Sequence, residues 1–197
     1  MTARIQPLAS TDLPALEDLV ASAGYRPNAL MTMAKHPTLL PAILQLVQST
    51  ARATGQVERE LRTLLACEAS RNAGCFYTTT HLAHSVHHQG VPLAKLAELD
   101  RYATSPHYTE RERAALALAT VGGQLPMGDP APAFERARRH FSEAELIELV
   151  AAVATFGFFN RWNSLIGSEL EDVPAELVGQ VGWLQAMQCE REQRAAA

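Results

Sequence analysis

The stretch Glu68 to Gly90 reads E-A-S-R-N-A-G-C-F-Y-T-T-T-H-L-A-H-S-V-H-H-Q-G, and the rest of the chain is organised around it. Asn72-Ala73-Gly74 interrupts a helical pattern that resumes behind it, which predicts a new helix from Cys75 to about Gln89, with Gly90 as its C-cap. A thiol in the first turn of a helix feels the positive end of the dipole and unpaired backbone N–H groups, and both favour the thiolate. Steps of three and four residues put Tyr77, His81, His84 and His88 on one stripe of that helix. Cys75 with His81 is therefore a candidate nucleophile–base or thiol–proton-relay pair. The plainer reading is a small apolar filler, since free cysteine is among the most buried residue types. Imidazoles at i and i+4 can share a zinc. No Glu or Asp lies between Cys75 and Gly90, however, so no metal is expected and packed or solvated histidines are the simpler account.

Before this stretch, Val57 to Asn72 reads as an amphipathic helix, with Leu61, Leu64, Leu65 and Ala69 inward and Arg59, Arg62 and Arg71 on a polar side. Cys67 on it reads as a buried filler, and Glu60 and Glu68 as solvated carboxylates. Further upstream, Ser10-Thr11-Asp12 is expected to cap a helix through about Ser22, Ala29 to Lys35 forms a short one, and Pro37 to Ala53 a strongly apolar one. Downstream, Pro92 to about Tyr102 is expected to be helical. Thr109-Glu110-Arg111-Glu112 and Ser142-Glu143-Ala144-Glu145 are capping boxes. They open helices running to Gly122-Gly123 and to about Ile166. Gln124 to Ala133 is the longest loop, Phe134 to His140 a short basic helix, and the segment after Pro174 a short amphipathic helix that frays. Its Trp183, Leu184, Met187 and Cys189 are placed to dock on this chain or on another subunit.

Two asparagines late in an apolar helix, in Asn160-Arg161-Trp162-Asn163, ask for hydrogen-bonding partners. They read as a structural polar network, or as Arg161 and Asn163 lining a pocket and holding a carboxylate or carbonyl. The pattern Glu60-Leu61 with Leu64-Leu65-Ala66 recurs as Glu145-Leu146 with Leu149-Val150-Ala151, a weak internal helical-hairpin repeat. Apolar spacing is helical almost everywhere, so the expected fold is all-α, a single-domain bundle over residues 1–197 of about 8–10 helices.

The 197 residues are 47% hydrophobic, enough to bury a core. A net charge of −4 leaves no basic footprint for nucleic acid. No stretch has the length and apolarity of a membrane helix, and the N-terminus lacks the apolar region of a secretory signal. Three cysteines in no framework spacing point to free thiols in a reducing compartment, hence a cytoplasmic protein.

The run A-S-R-N-A-G-C-F-Y-T-T-T-H-L-A-H-S resembles the core motif of the carboxymuconolactone decarboxylase / alkylhydroperoxidase D-like family, G-C-x-Y-C-x-x-H-T-A-H in its peroxidase-related branch. Gly74, Cys75, Tyr77, His81, Ala83 and His84 fall on it in register. F-N-R-W-N at Phe159 to Asn163, followed by a Glu-Leu-Glu segment, is similar to the family's second signature, and the likeness spans roughly residues 35–178, with a tail at 179–197. Thr78 stands where the peroxidases carry their second cysteine, and Thr63, flanked by Glu60 and Glu68, falls near where they carry a glutamate. The resemblance implies the helical fold and a homo-oligomer (dimer, trimer or hexamer). It also implies a catalytic set of Cys75, His81 and Tyr77, with Glu68 or Glu60 leaning over the thiol.

These readings lead to an enzyme with a single reactive thiol, reducing peroxide or doing related antioxidant chemistry without a cofactor on a small-molecule substrate. Thr78, His84, Asn160, Arg161 and Asn163 are its expected pocket residues. Peroxide reduction would stop at a sulfenic acid unless an external thiol or Cys67 resolved it. The alternatives are acid–base decarboxylation or isomerisation of a small organic acid or lactone, with His81 moving the proton and Arg161 or His84 holding the carboxylate, and a non-catalytic oligomeric scaffold.

Overall fold

In the computed structural model, residues 3–9, 13–52 and 54–196 are described; the expected cap at Ser10-Thr11-Asp12 lies outside them. The described residues are helical, with no strand. In chain order the helices are α1 (Glu17–Ala23), α2 (Asn28–Met33), α3 (Leu39–Val47), α4 (Arg59–Asn72), α5 (Phe76–His88), α6 (Leu93–Leu96), α7 (Glu110–Gly123), α8 (Ala131–Arg138), α9 (Glu143–Ile166), α10 (Asp172–Ala175) and α11 (Gly182–Ala196).

Both capping boxes form: the Thr109 side chain accepts from the Glu112 N–H and the Ser142 side chain from the Glu145 N–H, with the glutamates answering the cap amides. Three segments differ from their expected spans for local reasons. The helix after Pro37 turns π-helical over Gln48–Arg52, where Ser49 and Thr50 hydroxyls bond back to the Gln45 and Leu46 carbonyls. The helix after Pro92 stops at Leu96. Tyr108 and Trp183 donate to the Lys95 and Leu96 carbonyls, which a longer helix would use itself. And α8 begins a turn early, at Ala131, with proline in its first turn.

Helix α4 is the centre of the molecule, packed against α5, α7 and α9. Every residue from Leu61 to Ser70 is buried. On the polar side expected for this helix, Arg59 is exposed and Arg71 partly so, but Arg62 is not. Arg62 is only 3% exposed and reaches the Thr50 carbonyl. Glu68, fully buried, is gripped by Arg71 through two bonds of 2.8 and 2.9 Å and also by Asn72 and Thr120. A buried carboxylate persists only with such a set of partners. Close approach of α4 and α7 rests on Gly123, where a Cβ would sit 2.1 Å from the Ala69 carbonyl oxygen. The tail does not fray away: Trp183 and Leu184 are buried against α5 and α6, while Cys189 is exposed.

Candidate active site around Cys75, His81 and Glu171

Gly74 takes a left-handed backbone (φ +69°), which ends α4 and lets Cys75 enter α5 in extended conformation as its N-cap. The Cys75 N–H returns to the Ser70 carbonyl, so the thiol is fixed by the turn itself. Its sulfur is 3.1 Å from Thr78 Oγ1, and the residue is 4% exposed. Thr78 Oγ1 accepts from Asn163 Nδ2 at 3.0 Å, and Asn163 Oδ1 accepts from the Ser168 hydroxyl at 2.8 Å. Since Thr78 already accepts from Asn163, its own proton is free to point at the sulfur. The chain Ser168 to Asn163 to Thr78 to Sγ is oriented to stabilise a negative sulfur.

His81 does not pair with Cys75. Six residues along a helix is about 240° of rotation, which carries the two side chains to different faces. The ring instead has both nitrogens engaged elsewhere: Nδ1 lies 3.0 Å from the Tyr25 hydroxyl and Nε2 lies 2.6 Å from Glu171 Oε2. A carboxylate can only accept, so Nε2 carries a proton and donates it. The other oxygen, Glu171 Oε1, accepts from the Tyr77 hydroxyl at 2.8 Å and from the Asn28 N–H, and the Ala29 N–H in turn donates to Tyr77. Burial works to raise the Glu171 pKa, but the hydrogen bond and charge of His81, with the Asn28 and Tyr77 donors, hold it below 4.5. Burial, and then the Glu171 charge, push the Tyr25 and Tyr77 phenols up, so both stay protonated.

Above these groups is a cavity of about 410 Å³. Its apolar wall comes from Leu30, Leu44, Val47, Leu82, Phe156 and Phe159, and its polar wall from Tyr25, Tyr77, Thr78, His81, His84 and Asn163. Cys75 lies behind Thr78, one side chain below the wall. The histidine stripe is present: the Tyr77 and His81 rings are 4.3 Å apart, as are those of His84 and His88.

Four expected site residues lie elsewhere. Glu68 is held in its own buried ring of hydrogen bonds, apart from the Thr78 contact of the Cys75 sulfur. Glu60 sits half-buried at the start of α4 and does not line the cavity. Arg161 is exposed and, with the buried Asn160, lines a separate groove of about 360 Å³ between α4, α7 and α9. Successive residues of one helix point 100° apart, so of this motif Phe159 and Asn163, four residues apart, face the cavity and the three between them do not line it. Sequence reasoning missed Tyr25, Ser168 and Glu171. Only Glu171 left a trace, in the Glu-Leu-Glu segment behind the second motif.

No family model and no curated protein matches this chain. Solved structures do. The debrominase Bmp8 in complex with 2,3,4-tribromopyrrole, as a cysteine-to-alanine variant, is 31% identical with a TM-score of 0.83, over 91% of this chain and 98% of its own. The same enzyme without ligand is 30% identical at TM-score 0.84. A peroxidase-related protein from Ralstonia eutropha JMP134 with an alkylhydroperoxidase AhpD core is 22% identical, with a TM-score of 0.74 over 91% of this chain and 99% of its own. The fold is thus that of the AhpD-like helical enzymes. The chain belongs to the carboxymuconolactone decarboxylase / alkylhydroperoxidase D-like family. Among the described residues, no helix is long and apolar enough to cross a membrane.

Proposed function

We propose that this protein is a thiol-dependent reductase with one working cysteine, in which Cys75 attacks the terminal electrophilic atom of a small organic substrate held in the cavity. The observation that carries the reading is the chain from Ser168 through Asn163 and Thr78 to the Cys75 sulfur. It occupies the place of a resolving cysteine with donors suited to a thiolate. With a hydroperoxide, the thiolate takes the outer oxygen, the O–O bond breaks, and one proton completes the alcohol. Cys75 becomes a sulfenic acid. The proton comes through the Tyr25–His81–Glu171–Tyr77 network, whose Tyr25, Tyr77 and His81 line the same cavity. One external thiol then displaces water to form a mixed disulfide, and a second releases Cys75 as a thiol with the external disulfide as product. The need for an outside thiol fits a reducing compartment such as the cytoplasm.

Likeness to a debrominase favours a second substrate arm with the same balance. There the thiolate takes a halogen from carbon, the carbon takes a proton, and the external thiol displaces halide from sulfur. Of the two expected carboxylate holders of a decarboxylase, Arg161 lines the other groove and His84 alone stands at this cavity.

The test is turnover by the purified protein with dithiothreitol, using tert-butyl hydroperoxide in one series and p-bromophenol in another. Loss of peroxide or release of bromide, abolished in Cys75→Ser, is the expected result. Turnover that survives Cys75→Ser, or its absence from both series, overturns the proposal.

A further inference from the structure

His84 stands in the cavity wall one turn beyond His81, half-buried, with no hydrogen-bond partner on either ring nitrogen among the described residues. On the same helix His81 is engaged at both nitrogens and His87 bonds the Val91 carbonyl, while His88, which also shows no hydrogen bond, is exposed. What His84 does touch is aromatic. The Tyr25 ring lies 6.0 Å away, edge-on at 72°, and the His88 ring 4.3 Å away. From α9, Phe156 and Phe159, with ring centroids 5.7 Å apart, add two more rings to the same cavity. Walls built of ring edges and faces suit a flat aromatic ligand, because such pairs prefer offset and edge-to-face contact.

The charges around the cavity decide what polar group such a ligand carries. Burial, followed by the neighbouring charges of His88, His81 and His87, holds His84 down to about 4, so its imidazole is neutral near pH 7. A neutral imidazole offers one N–H donor and one bare acceptor nitrogen. Glu171, ionised beneath the floor, repels an anion. Among the described residues, the one guanidinium on the lining, Arg59, is exposed, where ion pairs are weak.

We infer that this cavity takes a small, flat, uncharged aromatic compound bearing one hydroxyl or azole N–H, and that His84 is the residue that recognises this group. The bare nitrogen of His84 accepts the ligand's proton donor, and the rings of Tyr25, Phe156 and Phe159 enclose its plane. The inference deepens the substrate side of the proposed reductase and concerns the same cavity, but the binding step requires nothing of the Cys75 sulfur.

Calorimetric titration of the reduced full-length protein near pH 7 tests it with three probes of similar size: p-cresol, toluene and benzoate. Binding of p-cresol about tenfold tighter than either of the others is expected, the order of one hydrogen bond to a half-buried acceptor. His84→Phe, which keeps a ring in place, is expected to lose that tenfold preference and to bind toluene as the wild type does. His84→Asn, with circular dichroism to confirm the fold, guards against an unfolded first variant and is expected to weaken p-cresol alike. Tightest binding of benzoate assigns the cavity to Arg59 and anions, and an unchanged p-cresol affinity in both variants removes His84 from recognition; either overturns the inference. Failure of the reductase reading shows separately, as p-cresol binding that is retained in a protein with no Cys75-dependent turnover.

Discussion

Nε2 of His81 and Oε2 of Glu171 lie 2.6 Å apart although ninety residues separate them in the chain. The contact ties the second turn of α5 to the start of α10, and it explains why His81 faces the cavity and not the thiol. Replacing the carboxylate with an amide of the same shape keeps an acceptor for the Asn28 and Tyr77 donors and removes the charge. Glu171→Gln is expected to lower turnover about 100-fold, the order of one acid–base group. Alkylation of Cys75 by iodoacetamide should stay within about twofold of wild type, because the sulfur contacts Thr78 and not this pair. Steady-state rates and a labelling time course measure both; full turnover in the variant would remove the network from the chemistry.

The three thiols sit in three different settings. Cys67 is sealed beside the Thr79 carbonyl, and burial, with the nearby Glu68 charge, pushes its thiol far up. Cys189 is exposed, and Cys75 has its hydroxyl–amide chain. Brief peroxide treatment followed by peptide mass spectrometry should find sulfenic acid first at Cys75, more slowly at Cys189, and not at Cys67 in the folded protein. Thr78→Val removes the hydroxyl at nearly constant shape and should slow Cys75 oxidation about tenfold, as loss of one hydrogen bond to a thiolate does. Equal labelling of all three cysteines would contradict the proposed role.

The pH dependence of stability has two terms in this site, and both lower stability as pH falls. His84 titrates near 4 when folded against 6.5 when not. Between these values the unfolded chain takes up a proton that the folded one refuses, so stability falls as pH drops through that window. Glu171 is held below 4.5 in the fold, so its contribution is complete above that value and is lost as pH falls through its lower folded pKa. Thermal melts across the acid range should therefore flatten in His84→Gln, relative to wild type. Glu171→Gln should melt lower than wild type at neutral pH, with the gap closing only in stronger acid. Parallel wild-type and His84→Gln curves would refute the first statement.

Gly123→Ala probes the helix crossing that supports the site. The added methyl would meet the Ala69 carbonyl oxygen at 2.1 Å, and a backbone atom cannot swing aside as a side chain can. A loss of about 3 kcal/mol is expected, at the upper end for overpacking. At this chain length that lowers the melting temperature by about 6–12 °C. An unchanged melt would mean that α4 and α7 separate freely.

Much of the helical plan was legible because its signals are local. Gly74 and the two capping boxes act within one turn of backbone, and the stripe from Tyr77 to His88 follows from the helical repeat alone. The cysteine and its helix mouth were legible for the same reason. Rotation and partnership were not. Periodicity gave Arg62 to solvent, whereas α4, surrounded on all sides, buries it. Glu68 and Glu60 looked close to Cys75 in sequence, yet the carboxylate that meets the histidine of this motif comes from the far side of α9.

The amino-acid order by itself determined an all-helical chain with a thiol at a helix start and a hydroxyl one turn on, since these depend on hydrogen bonds and sterics among residues three or four apart. Tertiary structure alone decided that Asn163 and Ser168 stand behind that hydroxyl, that Tyr25 and Glu171 hold His81, and that Arg161 faces another groove. Those relations arise from how whole helices are rotated and crossed in packing, which is set by the sum of many buried contacts and by no single local signal.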